Sequence, residues 1–337
     1  MSIIKVNQLS KEYRRYKRYD GFLGALRTLV TKEYSTVHAV NNLSFDIKAG
    51  ETIGYLGPNG AGKSTMIKML TGILVPTSGE VKVRGTVPHL NRKENAGKIG
   101  VVFGQRSQLW WELPVIDSFD VHRHVYKIEE STYKQNLEFC IELLDLQPFL
   151  NSPVRQLSLG QRMRAEITLA LLHDPDILFL DEPTIGLDVL AKDSIRDFLS
   201  EVNKEKNTTI FLTTHDLQDI EEICSRMLIV NKGDLIYDGD SSSLRRQLGD
   251  LRKMRIEFSE DPGQIYIPGI LQKTEKGKVK DFVIEKETTN VLEVITEISS
   301  RYHIVDLSIE EANIEDIIRR FYQEIAREEQ LTGSGQR

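Results

Sequence analysis

Short apolar runs alternate with longer amphipathic stretches as far as residue 240. Thr52-Ile53-Gly54-Tyr55-Leu56, Ile99 to Phe103, Ile177 to Leu180 and Thr209 to Leu212 are nearly unbroken apolar runs, the pattern of strands buried on both faces. Between and after them, residues 63–71, 132–144, 160–173 and 192–205 carry apolar side chains at helical spacing. Buried strands separated by helices predict an α/β fold, a mostly parallel sheet with helices on both faces. Glycine-marked turns at Gly85 and Gly233 add short antiparallel hairpins. After Gly239-Asp240-Ser241-Ser242-Ser243 the pattern changes to strand-like Met254 to Phe258 and Val279 to Ile284. A helical stretch from Val291 to Ser299, strand-like Ile304 to Leu307 and an amphipathic helix opening near Ile314 follow. The boundary is expected near residue 245, giving residues 1–245 as the main domain and 246–337 as a small α+β domain. Residues 333–337 read as a frayed end.

The chain has 337 residues, 40% hydrophobic and 28% charged, which suffices for a core and excludes a disordered tail or a disulfide-stapled miniprotein. Lys+Arg 44 against Asp+Glu 50 leaves a net charge of −6, so no chain-wide positive field draws in duplex nucleic acid, and no nucleic-acid partner is expected. Cys140 and Cys224 are the only cysteines and lack metal-ligand spacing, as in a chain of a reducing compartment. Neither a signal peptide nor an apolar run of the ~18 residues that a spanning helix needs is visible. Any membrane contact is therefore expected to be peripheral.

Directly after the strand ending at Leu56 comes Gly57-Pro58-Asn59-Gly60-Ala61-Gly62-Lys63-Ser64-Thr65, a full G-x-x-x-x-G-K-[ST] match in strand-then-helix context. Its glycines let backbone N–H groups curl around phosphate oxygens, and the following helix adds its positive N-terminal end. Lys63 is expected to reach the β- and γ-phosphates and Ser64 to ligate Mg²⁺. A second strand, Ile177 to Leu180, delivers Asp181 and Glu182 to the C-terminal edge of the sheet, where ligands of open α/β sheets sit. Asp181 is expected in the Mg²⁺ shell, and Glu182 as the base that orients and deprotonates the attacking water.

Leu157-Ser158-Leu159-Gly160-Gln161, just before the Asp181 strand, resembles the L-S-G-G-Q signature of the ATPase subunits of ATP-binding cassette transporters. The remaining elements fall in that family's order over roughly residues 1–240. Gln105 resembles the Q-loop glutamine, Gly186-Leu187-Asp188 the D-loop and His215 the switch histidine. The resemblance implies a P-loop ATPase domain with an antiparallel β subdomain and a helical subdomain. It also implies ATP as substrate, with Gln105 sensing the γ-phosphate and Mg²⁺, and Tyr13, or else Tyr16, stacking on adenine. In the family's head-to-tail dimer each ATP would lie between the cradle of one copy and Ser158, Gly160 and Gln161 of the other, with Asp188 nearby. Partner permeases, a peripheral place on the cytoplasmic face of the membrane and a regulatory or dimerisation role for residues 246–337 follow from the same resemblance.

Leu159 stands where the family has the first glycine of its pair, which is strained if the site needs a left-handed backbone and mere packing if it does not. Asn231-Lys232-Gly233-Asp234 spells a guanine-binding N-K-x-D, yet its place between two apolar runs reads as a hairpin turn. His122 and His124 flank Arg123 on a helical stretch, where i and i+2 point to different faces and cannot share a metal. The two cysteines read as packed thiols. Trp110 and Trp111 belong either to the core or to an exposed coupling surface.

Between Tyr13 and Val37 lies an insertion whose basic lead starts at Lys11 and continues with Arg14, Arg15, Lys17 and Arg18, followed by Phe22, Leu23, Leu26, Leu29 and Val30 at helical spacing. An amphipathic helix at about 20–34 is expected there, facing a membrane surface, a permease or its own domain. It is positioned like an extra helix in polymer-exporting ATPases. The reading that results is the ATP-hydrolysing subunit of an exporter. An importer ATPase and a soluble cassette protein acting on ribosomes or DNA are the alternatives.

Overall fold

A computed structural model of the chain describes residues 2–16, 34–104, 106–247, 251–267, 270–272, 277–285 and 290–311, together with 318, 321 and 322. The inserted helix expected at 20–34, Gln105, most of the helix opening near Ile314 and the end at 333–337 lie outside the described residues. Contacts divide the chain into two compact units, Met1–Asp238 and Gly239–Arg337.

The first unit holds two sheets. Strands β1 (Ser2–Tyr16), β2 (Tyr34–Lys48) and β4 (Ser78–Val83) form an antiparallel sheet in the order β2-β1-β4. The larger sheet runs β5-β6-β7-β3-β8-β9, from β3 (Thr52–Leu56), β5 (Ile99–Phe103), β6 (Ile177–Asp181), β7 (Thr209–Thr214), β8 (Arg226–Asn231) and β9 (Asp234–Gly239). The pairs β5/β6, β6/β7, β7/β3 and β3/β8 are parallel. Lys232 and Gly233 both take positive φ between β8 and β9, the backbone of a two-residue hairpin turn. Asp234 accepts a hydrogen bond from Asn41 Nδ2 at 2.8 Å, so the N-K-x-D run is spent on structure.

The helices explain why the parallel strands read as apolar throughout. Ile177, Phe179 and Phe211 face one core with Met66, Ile67, Met69 and Leu70 of α1 (Lys63–Leu70) and the antiparallel sheet. Leu178, Leu180, Ile210 and Leu212 face the other core. There they meet α3 (Val115–Tyr126), α4 (Glu130–Leu143), α5 (Leu159–Leu171) and α6 (Val189–Lys206), while the short α2 (Arg92–Ala96) leads into β5. Both faces of every central strand are thus buried, which removes the polar alternation. Cys140 packs in the second core, and burial pushes its thiol up to about 12. His122 stacks on Tyr126 at 4.2 Å between centroids and lies 5.7 Å from His173, and burial lowers it to about 4, so it is a neutral packing ring.

In the second unit, α8 (Ser241–Gln247) leads to an antiparallel sheet. Its order is β11-β12-β10-β13, from β10 (Leu251–Phe258), β11 (Leu271–Gln272), β12 (Val279–Glu285) and β13 (Ile304–Glu311). One face packs Met254, Ile256, Phe258, Phe282 and Ile284 against Val294 and Ile298 of α9 (Val291–Arg301). The fully buried Lys280 on that face pairs with Asp261 at 3.0 Å.

One buried ionic network ties the edge of the large sheet to its helices. Asp219, in α7 (Leu217–Ile223), is fully buried and accepts hydrogen bonds from Thr184 at 2.5 Å, Thr214 at 2.9 Å and Arg196 Nε at 2.7 Å. It thereby joins the loop after β6, the end of β7 and α6. Removing one partner of such a pair leaves an uncompensated buried charge. Arg196→Ala is expected to cost about 3–5 kcal/mol, read as a lower urea midpoint at unchanged slope.

Candidate active site

Parallel pairing sets the height of the strand ends. Leu56 lies beside Thr214, Asp181 beside Thr213, and Phe103 beside Asp181, so β5, β6, β7 and β3 finish level. Their following residues, 104, 182, 215 and 57–63, therefore gather at one edge, where the strand order departs from chain order.

The cradle loop turns from β3 into α1 through Gly62, the N-cap, at φ +97°. A Cβ there would stand 1.9 Å from the Ala39 carbonyl oxygen, so only glycine fits. No side chain caps α1 and no acidic residue occupies its first turn, which leaves its first N–H groups for an anion. Lys63 is buried, and its ammonium donates to the Gly57 carbonyl at 2.8 Å. Ser64 and Asn59 are exposed at the mouth of the loop.

Glu182 sits just past β6 with φ +54°, a left-handed backbone that costs a non-glycine residue roughly 1–2 kcal/mol. Its N–H is pinned by the Thr213 carbonyl at 2.9 Å and by the Thr213 hydroxyl oxygen at 3.2 Å. The carboxylate lies 3.5 Å from Lys63 Nζ and 3.6 Å from His215 Nδ1. Asp181 accepts from the Thr213 hydroxyl at 2.7 Å. Thr213 thus orients the Asp181 carboxylate and pins the Glu182 backbone, a role the sequence pattern hid because a threonine inside a β-strand reads as filler. Gly104 lies against the Asp181 and Glu182 backbones, and its N–H donates to the Asp181 carbonyl at 2.9 Å.

The signature residues form a second helix start. Ser158 is the N-cap of α5, its hydroxyl oxygen accepting from Gln161 N–H at 3.2 Å while Gln161 Oε1 accepts from Ser158 N–H at 2.9 Å. That reciprocal cap uses the Gln161 amide oxygen and leaves the Ser158 O–H hydrogen free of the cap. Leu159 opens α5 with a helical backbone and does not require positive φ, so the strain that its replacement of glycine raised does not arise. Its side chain, 37% exposed, lies over Gly186, whose Cβ would meet it at 3.2 Å. Asp188 caps α6 by accepting from Ala191 N–H at 2.9 Å, and Ala191 in turn borders Gly160.

Tyr13 is exposed on β1 opposite Val37, with the Lys11 ammonium 5.6 Å from its ring centre. Trp110 and Trp111 are 58% and 50% exposed, which places them at the surface and excludes the core reading. Among the described residues no cluster of three or more His, Cys, Asp or Glu side chains could cage a metal. The oxygen donors at this edge, the Ser64 hydroxyl and the Asp181 carboxylate, are of the hard kind that would suit Mg²⁺.

A family model described as ABC transporter matches residues 40–185. The ABC transporter ATP-binding protein NatA of Bacillus subtilis (strain 168) is 32% identical over 236 residues, covering 70% of this chain and 92% of that protein. The methionine import ATP-binding protein MetN 2 of Enterococcus faecalis is 29% identical, covering 85% and 86%. A solved dimeric ATP-binding cassette in a post-hydrolysis state with ADP and Pi superimposes with a TM-score of 0.58 at 26% identity, covering 70% of this chain and 98% of that one. With cradle, signature and carboxylate edge in this order on this sheet, and with NatA matched along nearly its whole length, the chain belongs to the ATP-binding cassette transporter ATPases.

Proposed function

We propose that this chain is the ATP-hydrolysing subunit of an exporter, working as a pair beneath separate membrane permeases. The observation that carries the chemistry is the contact of Glu182 with both Lys63 and His215 at the level end of the parallel strands. Lys63 holds the β- and γ-phosphates together with the N–H groups of residues 57–65 and the start of α1. Glu182, fixed by its backbone bonds to Thr213, takes a proton from the attacking water, and His215 steadies its carboxylate. Ser64 and Asp181 would hold Mg²⁺, with Gln105 completing the set. When bound, that ion neutralises charge building on the phosphate oxygens.

Ser158, Gly160 and Gln161 would meet the γ-phosphate of the nucleotide held by a second copy, through the N-terminal end of α5 and the free Ser158 O–H. Tyr13 is the proposed adenine platform. No described helix is long and apolar enough to cross a membrane, and peripheral attachment to the cytoplasmic face through permeases is the proposed location. Exposed Trp110 and Trp111 are the proposed coupling surface. The direction of transport rests on the segment after Tyr13, where Arg14 and Arg15 are exposed and Arg14 lies over the Tyr34 ring at 4.9 Å. A basic lead into an amphipathic stretch suits a membrane-facing contact beside an export permease. Import is the second reading, favoured by the similarity to MetN 2 over 85% of the chain. Flux measured after reconstitution with the permeases decides between them: ATP-driven movement away from the ATPase side supports export, and dependence on a solute-binding protein supports import.

Glu182→Gln is expected to cut steady-state hydrolysis by roughly 10²–10⁴-fold while a stable ATP-bound dimer accumulates on size-exclusion chromatography. Near-parent turnover would remove Glu182 from the role of base. Lys63→Ala is expected to weaken nucleotide binding itself, seen by calorimetry as a raised Kd. Leu159→Gly is expected to hydrolyse no faster than the parent, because the leucine already sits in an ordinary helical backbone, and to lose up to about 1 kcal/mol of stability.

A further inference from the structure

The signature helix carries a carboxylate where its neighbours are apolar. Glu166 lies among Met163, Ala165, Ile167 and Leu169 on α5 and is 3% exposed. Burying an ion is unfavourable unless donors converge on it. They come from the segment that follows Gln105. The Ser107 hydroxyl donates to Glu166 Oε1, and Gln108 N–H lies 3.0 Å from Oε1 and 3.2 Å from Oε2. Leu109 N–H in turn donates to Ser107 Oγ at 3.2 Å, holding that hydroxyl in place. Burial raises the carboxyl above its ordinary range, and these donors work against that shift.

One turn earlier on the same helix face, the Arg162 guanidinium stands over the Trp111 ring, 5.9 Å from its centre. Beyond this grip the segment is held at β5 by Gln108 Nε2 on the Val101 carbonyl at 2.6 Å and at α3 by Trp110 N–H on Ser118 Oγ at 3.2 Å. Ser158 and Glu166 are eight residues apart on one helix, about 12 Å along its axis. A displacement at the phosphate-facing end of α5 is therefore delivered to residues 107–111 through a rigid rod.

We propose that Glu166 is a positioning residue that fastens the segment 107–111, with its exposed tryptophan pair, to the signature helix, so that the two move as one body when nucleotide engages Ser158. The proposal rests on the ATPase reading above for the ligand, and on the Glu166 bonds for the linkage. It assigns to one buried carboxylate the transfer of nucleotide state to the surface that faces the permease. Arg162 contributes the second point of hold.

Trp110 and Trp111 are the only tryptophans in the chain, so intrinsic fluorescence reports on this segment alone. The full-length chain is titrated with the non-hydrolysable analogue AMP-PNP and Mg²⁺, following tryptophan emission and calorimetric binding in parallel. The parent is expected to show a saturable emission change at the calorimetric midpoint. In Glu166→Gln, which keeps the shape, and in Glu166→Ala, the emission change is expected to fall below about half of the parent's. The binding constant in both stays within about twofold. Ser107→Ala removes one donor without orphaning the carboxylate and is expected to lose part of the response, which covers the case in which the Glu166 variants fold poorly. A full emission change in the Glu166 variants, or binding by the parent with no emission change, overturns the linkage while leaving the ATPase reading intact. A parent that binds no nucleotide by calorimetry overturns both.

Discussion

The parallel hydrogen-bonded ladder that ends β5, β6, β7 and β3 at one height is the constraint on which the site depends. Pairing of Leu56 with Thr214, Asp181 with Thr213 and Phe103 with Asp181 leaves no freedom for one strand to slip. A slip of one residue would turn every buried side chain of that strand toward the opposite core. Two cores, one on each face, make such a slip expensive. Lys63, Glu182 and His215 meet because the sheet permits only one relative height for the loops that carry them.

Around that edge, buried polar groups do work that apolar packing cannot. Thr213 offers a carbonyl and a hydroxyl to Glu182 N–H, and the same hydroxyl donates to Asp181. Those bonds hold Glu182 in a left-handed backbone that it would not adopt alone. Asp219, with Arg196, Thr184 and Thr214, fixes the loop on one side of the edge and the approach to His215 on the other. The directional bonds settle side-chain positions, whereas the cores settle only that the layers pack.

The two helix starts differ in a way that fits their proposed tasks. At α1 no side chain satisfies the first N–H groups, so an anion is the natural partner. At α5 the Ser158 and Gln161 side chains each accept from the other residue's backbone N–H, which stiffens the end of the helix while leaving a hydroxyl hydrogen to offer outward. A stiff end suits an element that transmits displacement, and Glu166 lies in the same helix.

Much of this was local and therefore legible in the sequence. Unbroken apolar runs marked the buried strands, helical spacing marked most of the longer helices, and G-x-x-x-x-G-K-[ST] after a strand marked the cradle, because each depends on residues adjacent in the chain. The approach of Lys63 to Glu182, the bonds of Thr213 to the Asp181 carboxylate and the Glu182 backbone, the surface position of Trp110 and Trp111, and the burial of Glu166 under residues 107–109 were decided by the tertiary structure. Leu159 shows the division most simply: its identity departs from the signature, and only the helix it opens reveals that its backbone is unstrained. Periodicity and spacing are properties of neighbours along the chain. Contacts between loops brought together by a sheet are set by packing between segments remote in sequence, which no local pattern encodes.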